Sequence, residues 1–232
     1  MSFNLEDAIE CSKSGDISAT RSLVEYYFDK YDYMEALKYA LEGLESDNDL
    51  FCHEMAGRCA AAYSFFLINS FGTEQCSLAV DILNHVYLIS AMCSEALHRD
   101  VNVQVFYEEF VRAYFYQGVA DDNPSKYERA IKYYRMCTGN IPSDITYCYI
   151  GCLLNLQCTD ESLEIQEKLI KEHDNTLTDE MLINLCSTVA SIHLGKGNLG
   201  VAKIFVNKIR EINPDDEFVS LFDKLETDML GQ

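Results

Sequence analysis

The 232-residue sequence contains no tryptophan, only 3 prolines and 11 glycines. So few turn-forming residues exclude a collagen-like, linker-rich or turn-dense all-β chain. Cations are scarce too: 18 lysines and arginines stand against 38 aspartates and glutamates, a formal charge of -20. An excess of that sign works against binding nucleic acid along a basic face, so no nucleic-acid partner is expected. Long apolar runs are missing. The closest to the roughly 18 apolar residues of a membrane span is Ala60 to Asn69, which has core-helix length. The acidic start, Met1 to Asp7, lacks the basic and apolar stretches of a secretory signal. The expectation is a cytoplasmic protein with no membrane insertion.

Motifs of chemistry are also absent. There is no GxGxxG after a strand, no GxxxxGK[ST], no HExxH and no GxSxG. None of the 10 cysteines forms a CxxC pair, which removes the strongest zinc signal. Cys52 with Cys59, and Cys148 with Cys152, fall on common helical faces. In a reducing compartment such thiols pack as small hydrophobes. A metal or redox pair joined by His53 or His85 is the alternative. The expected protein is not an enzyme and has no cofactor and no metal.

What is present is helical. Apolar residues make up 48% and charged residues 24%, enough for a core and unlike a disordered chain. Leu23, Tyr26, Tyr27 and Tyr31 recur in three- and four-residue steps, as do Ala36, Leu37, Ala40, Leu41 and Leu44. Met181 to Leu194 and Ala202 to Ile212 repeat the pattern, and no convincing strand alternation occurs. Breaks at Gly15-Asp16, Asp47-Asn48-Asp49, Phe71-Gly72, Asp121 to Pro124, Gly139 to Pro142, Thr159-Asp160, Asp174-Asn175 and Gly197-Asn198 divide the chain into elements. Ser125, Asp160-Glu161 and Thr178-Asp179-Glu180 are candidate helix starts. The pattern predicts about five helix–turn–helix units.

The last unit is the clearest. Ala190, Gly197, Ala202 and Pro214 lie at offsets 0, 7, 12 and 24. Small residues let two helices approach, a glycine closes the turn between them, and a proline stops the second helix. This spacing resembles the tetratricopeptide repeat. Ala130 to Pro142 repeats the twelve-residue step, and Tyr27 precedes Ala36 by nine. About five extra residues around Ala120 to Ser125 resemble the Sel1-like variant with its longer loop. The second unit departs most, with long helices near Asp49 to Asn69 and Glu74 to Arg99. The resemblance implies an all-α fold over residues 1–232 as a single domain. It would be a right-handed α–α superhelix, or solenoid, of about five helix–turn–helix repeats. Glu217 to Leu230 would form a C-terminal capping helix, polar on its outer side.

The same resemblance implies a concave groove lined by the first helix of each pair. Its inward positions would be Arg21, Glu25 and Phe28 in the first unit; Tyr107, Phe110, Tyr114 and Gln117 in the third; Cys148 and Asn155 in the fourth; and Asn184 and Ser191 in the fifth. The expected function is a non-catalytic adaptor holding a peptide or partner protein there. The alternative is a secretion-type chaperone or inhibitor that masks a basic or amphipathic protein. Charge favours such a partner: from Tyr39 to Ser125 there is no lysine, and three arginines face thirteen acids.

Overall fold

A computed structural model describes residues 4–47, 49–97 and 104–230. Every regular element among them is helical: twelve α-helices and one 3-10 helix, with no strand. None of these helices is long and apolar enough to cross a membrane. The chain divides into two compact units, Met1–Gly139 and Asn140–Gln232. The boundary falls in the Gly139 to Pro142 stretch that the sequence marks as a break. Each unit has its own helices.

The first unit holds α1 (Leu5–Lys13), α2 (Ile17–Asp29), α3 (Tyr33–Asp47), α4 (Leu50–Phe71), the 3-10 helix Gly72–Gln75, α5 (Cys76–Leu97), α6 (Gln104–Asp121) and α7 (Pro124–Tyr134). The second holds α8 (Ser143–Asn155), α9 (Thr159–Glu172), α10 (Asp179–Gly195), α11 (Leu199–Ile212) and α12 (Glu217–Leu230). Within each unit a helix packs chiefly on its neighbours in sequence; in the first, α4 also packs on α2 and α6.

One turn recurs five times. Gly15, Tyr31, Asp122, Gln157 and Gly197 each adopt a positive φ, between 47° and 92°. In each case the next residue donates its N–H to the carbonyl five residues back. The pairs are Asp16–Cys11, Asp32–Tyr27, Asn123–Gly118, Cys158–Leu153 and Asn198–His193, at 2.8–3.3 Å. This is the bond that closes a helix end while the following residue opens the next helix. Asp16, Asp32 and Asn123 then cap α2, α3 and α7 through their side chains. Thr178 caps α10 as expected. For α7 the cap is Asn123, with Pro124 in the first turn and Ser125 donating its N–H to the Asn123 side chain.

Two details of the repeat reading are corrected. The extra residues near Ala120 do not form a long loop. Helix α6 runs on to Asp121, leaving only Asp122 and Asn123 before α7. Gly118 lies inside this extension, where a Cβ would stand 2.6 Å from the Tyr127 ring, so only glycine allows so close a crossing. Pro142 does not end the second helix of that pair either. Helix α7 stops at Tyr134, and Pro142 stands at the start of α8, where a missing N–H costs nothing. Pro214 behaves as expected: α11 ends at Ile212 and Asn213 is extended before the proline.

The small residues sit where helices meet. Ala36, Ala130, Ala190 and Ala202 are all fully buried. In the second unit Ala190 and Ala202 join Val189, Phe205, Val206 and Ile209 in one core, which Val219 and Phe222 of α12 complete. The expected polar outer face of α12 is interrupted by Leu221 and Leu225, both exposed. In the first unit α4 and α5 have 22 residues each, as the sequence suggests for the second repeat. Arg99 lies outside the described residues.

Candidate interaction surface

Four of the eleven expected groove residues prove to be interior. Phe110 and Tyr114 on α6 are buried, and Tyr133 of α7 stacks on both, at centroid distances of 4.5 and 5.8 Å. Tyr87 of α5 meets Phe110 edge-on at 6.0 Å. Helices α5 and α7 both pack on α6, so its aromatic row fills space between helices. Gln117 is buried as well and donates to the Ser77 hydroxyl at 3.0 Å. Tyr107 is half-buried; desolvation, together with its hydrogen bond to Tyr87, pushes its phenol up to about 12. In the second unit Cys148 is buried.

The other expected positions reach solvent to differing degrees. Arg21 is half-exposed and tied to the buried carboxylate of Asp49. Asp49 in turn accepts from the Cys52 N–H at 3.0 Å, which anchors the start of α4. The Arg21 guanidinium holds the Asp49 carboxyl below the usual carboxylate range. Glu25 is exposed, and Phe28 is half-buried with the Arg58 guanidinium 5.0 Å from its ring centre. Asn155, Asn184 and Ser191 are exposed, although Asn155 spends its amide on the Gly151 carbonyl at 2.8 Å.

Thiol chemistry is disfavoured by burial. Desolvation pushes Cys52 and Cys59 up to about 12 and Cys76 to about 11, and raises Cys152 strongly. A protonated buried thiol is a poor nucleophile. His53 is buried and His85 exposed. Among the described residues no three His, Cys, Asp or Glu side chains come together as a metal site.

The surface holds two apolar features that the groove assignment missed. At the end of α4, Phe65, Phe66 and Phe71 are 45%, 46% and 51% exposed. Tyr63 stacks on Phe66 at 6.3 Å, Phe71 meets Phe66 edge-on at 6.2 Å, and the Arg112 guanidinium lies 4.6 Å from the Phe65 ring centre. The sequence carries the signal in two adjacent phenylalanines. Neighbouring helix positions point about 100° apart, and α4 already gives its buried stripe to Ala60, Ser64, Leu67 and Ile68.

The second feature is a cavity of about 320 Å3 along α3, lined by Met34, Leu37, Lys38, Leu41, Glu42 and Glu45. Met34 is 50% exposed, and Tyr31, in the turn leading into α3, is 79% exposed. Helix α3 thus has two apolar rows. Ala36, Ala40 and Leu44 are buried on one side, and Met34, Leu37 and Leu41 line the cavity, Leu37 as its buried floor and Leu41 half-buried. Lys38 is bonded to Glu35 at 3.1 Å. Glu42 and Glu45 are exposed with no ion pair among the described residues.

Both surfaces are made of apolar rings and methylenes, with carboxylates beside the second. Comparison with protein-family models, curated proteins and solved structures finds no match.

Proposed function

We propose that the chain is a non-catalytic interaction scaffold of the tetratricopeptide-like kind, built of stacked helix pairs that hold a partner protein or peptide. The observation that carries this reading is the cluster of half-exposed phenylalanines at the end of α4. Contiguous exposed aromatic surface is costly in water and marks sites that another protein covers. The five-fold recurrence of one helix–turn–helix closure, with buried alanines where helices meet, supports the repeat architecture. Of the expected lining, Arg21, Glu25, Phe28 and Tyr107 reach solvent in the first unit, and Asn155, Asn184 and Ser191 in the second.

The test is capture from native lysate at two salt concentrations, then reconstitution with the purified partner. Phe66→Ser combined with Phe71→Ser should lower affinity at least about tenfold, with circular dichroism and melting close to wild type. Affinity unchanged by this pair would remove the α4 surface from the reading. Failure to capture any stoichiometric partner would remove the scaffold function itself.

The masking of a basic or amphipathic protein is a second reading, favoured by the formal charge of -20. Attraction of this kind weakens with salt. Reconstituted binding that is the same at both salt concentrations would count against it.

A further inference from the structure

We propose that the outer face of α3 docks a short amphipathic helix carrying lysine or arginine on its polar side. The proposal rests on the scaffold reading and names the partner chemistry of one surface. The inner row of α3 is buried, and the cavity row, Met34, Leu37 and Leu41, runs from exposed Met34 over buried Leu37 to half-buried Leu41. Those three residues occupy positions i, i+3 and i+7, a stripe roughly 10 Å long along the helix axis. A partner helix of two to three turns matches that length. Met34 can re-pack around different side chains, because its thioether chain is unbranched and polarizable.

Charge selects the occupant. Lys38, the one cation lining the cavity among the described residues, is bonded to Glu35 and lies in the field of Glu42 as well, so three carboxylates outnumber it. Glu42 and Glu45 remain at the C-terminal half of α3, where the helix dipole adds to the negative field. Cations at the edge of a partner's apolar stripe would meet both carboxylates. A second copy of this chain fits poorly, because a two-fold pairing of the same face would oppose Glu42 and Glu45 with their own equivalents.

The test uses the full chain and a fluorescein-labelled 14-residue amphipathic peptide made of leucine and lysine. Its counterpart has glutamate in place of every lysine. The lysine peptide should bind, and the glutamate peptide should bind at least about tenfold more weakly. Met34→Asp should weaken the lysine peptide by a similar factor. Glu42→Lys with Glu45→Lys should do the same, while the equal charge change Glu211→Lys with Asp215→Lys in the second unit should have little effect. Equal binding of both peptides would overturn the proposal. So would indifference to Met34→Asp, or equal losses from the two charge-changed pairs. Self-association that Met34→Asp abolishes would assign the face to a second copy and also overturn it. If the peptide ignores α3 while a captured partner still needs Phe66 and Phe71, the docking face falls and the scaffold stands. If the peptide binds as described and no natural partner is captured, the reverse holds.

Discussion

Helices α3 and α11 each follow the same turn, and each buries an alanine against its pair, Ala36 in one and Ala202 in the other. Their outer faces differ. Helix α11 exposes Val201 and Ile204, but its cations are committed to neighbours. Lys203 binds Glu226 at 2.6 Å and Arg210 binds Asp223 at 2.7 Å, both on α12, while Lys208 donates to the Ile170 carbonyl of α9. Helix α3 leaves Glu42 and Glu45 without such partners beside an apolar row. Packing is thus shared between the two helices, whereas surface charge is paired with a neighbouring helix on α11 and left facing solvent on α3. Close approach of two helices constrains the first property and leaves the second free.

The largest effect should come from breaking the interior. Tyr114→Ala removes a buried ring stacked on Tyr133, and urea unfolding should register a loss of about 3–5 kcal/mol. A variant with wild-type stability would return Tyr114 to the surface. Next, Ala36→Trp and Ala202→Trp should each cost at least about 1–3 kcal/mol, since both sites are fully buried. If only one of the two destabilises, the shared packing register is wrong for the other helix.

A smaller effect belongs to the pair beneath the α3–α4 connection. Arg21 lowers the folded-state pKa of Asp49, so its stabilisation is complete at neutral pH. It is lost as pH falls below the ordinary carboxylate value of about 4. Arg21→Met should therefore flatten the acid limb of the stability profile, measured by unfolding at stepped pH. An unaltered acid limb would show that the pair adds nothing. The smallest effect separates the two outer faces. Lys203→Met should cost up to about 1 kcal/mol through loss of the Glu226 bond, whereas Glu42→Gln should cost nothing measurable by the same unfolding assay. Equal losses would erase the distinction between α3 and α11.

Much of the helical frame was legible in the residues. Gly15-Asp16 and Gly197-Asn198 announce their turns because glycine adopts positive φ freely. The equivalent turns at Tyr31 and Gln157 were not readable as such, since neither side chain favours that conformation. The candidate surface was harder. Tyr107, Phe110 and Tyr114 follow the spacing of a groove lining, yet the same spacing serves a helix packed on both sides. Only the positions of α5 and α7 decide between the two, and periodicity within α6 carries no information about them. Leu41 stands in the same apolar pattern as the buried Ala36, Leu37 and Ala40, so its partial exposure could not be distinguished from burial.

Hydrogen exchange on the complex of this chain with its purified partner would be the most direct trial of the interaction role. Added protection should concentrate on α3 and the end of α4, with the interior of α6 unchanged from the free chain. Protection spread evenly over both units, or absent from α3 and α4 alike, would contradict it.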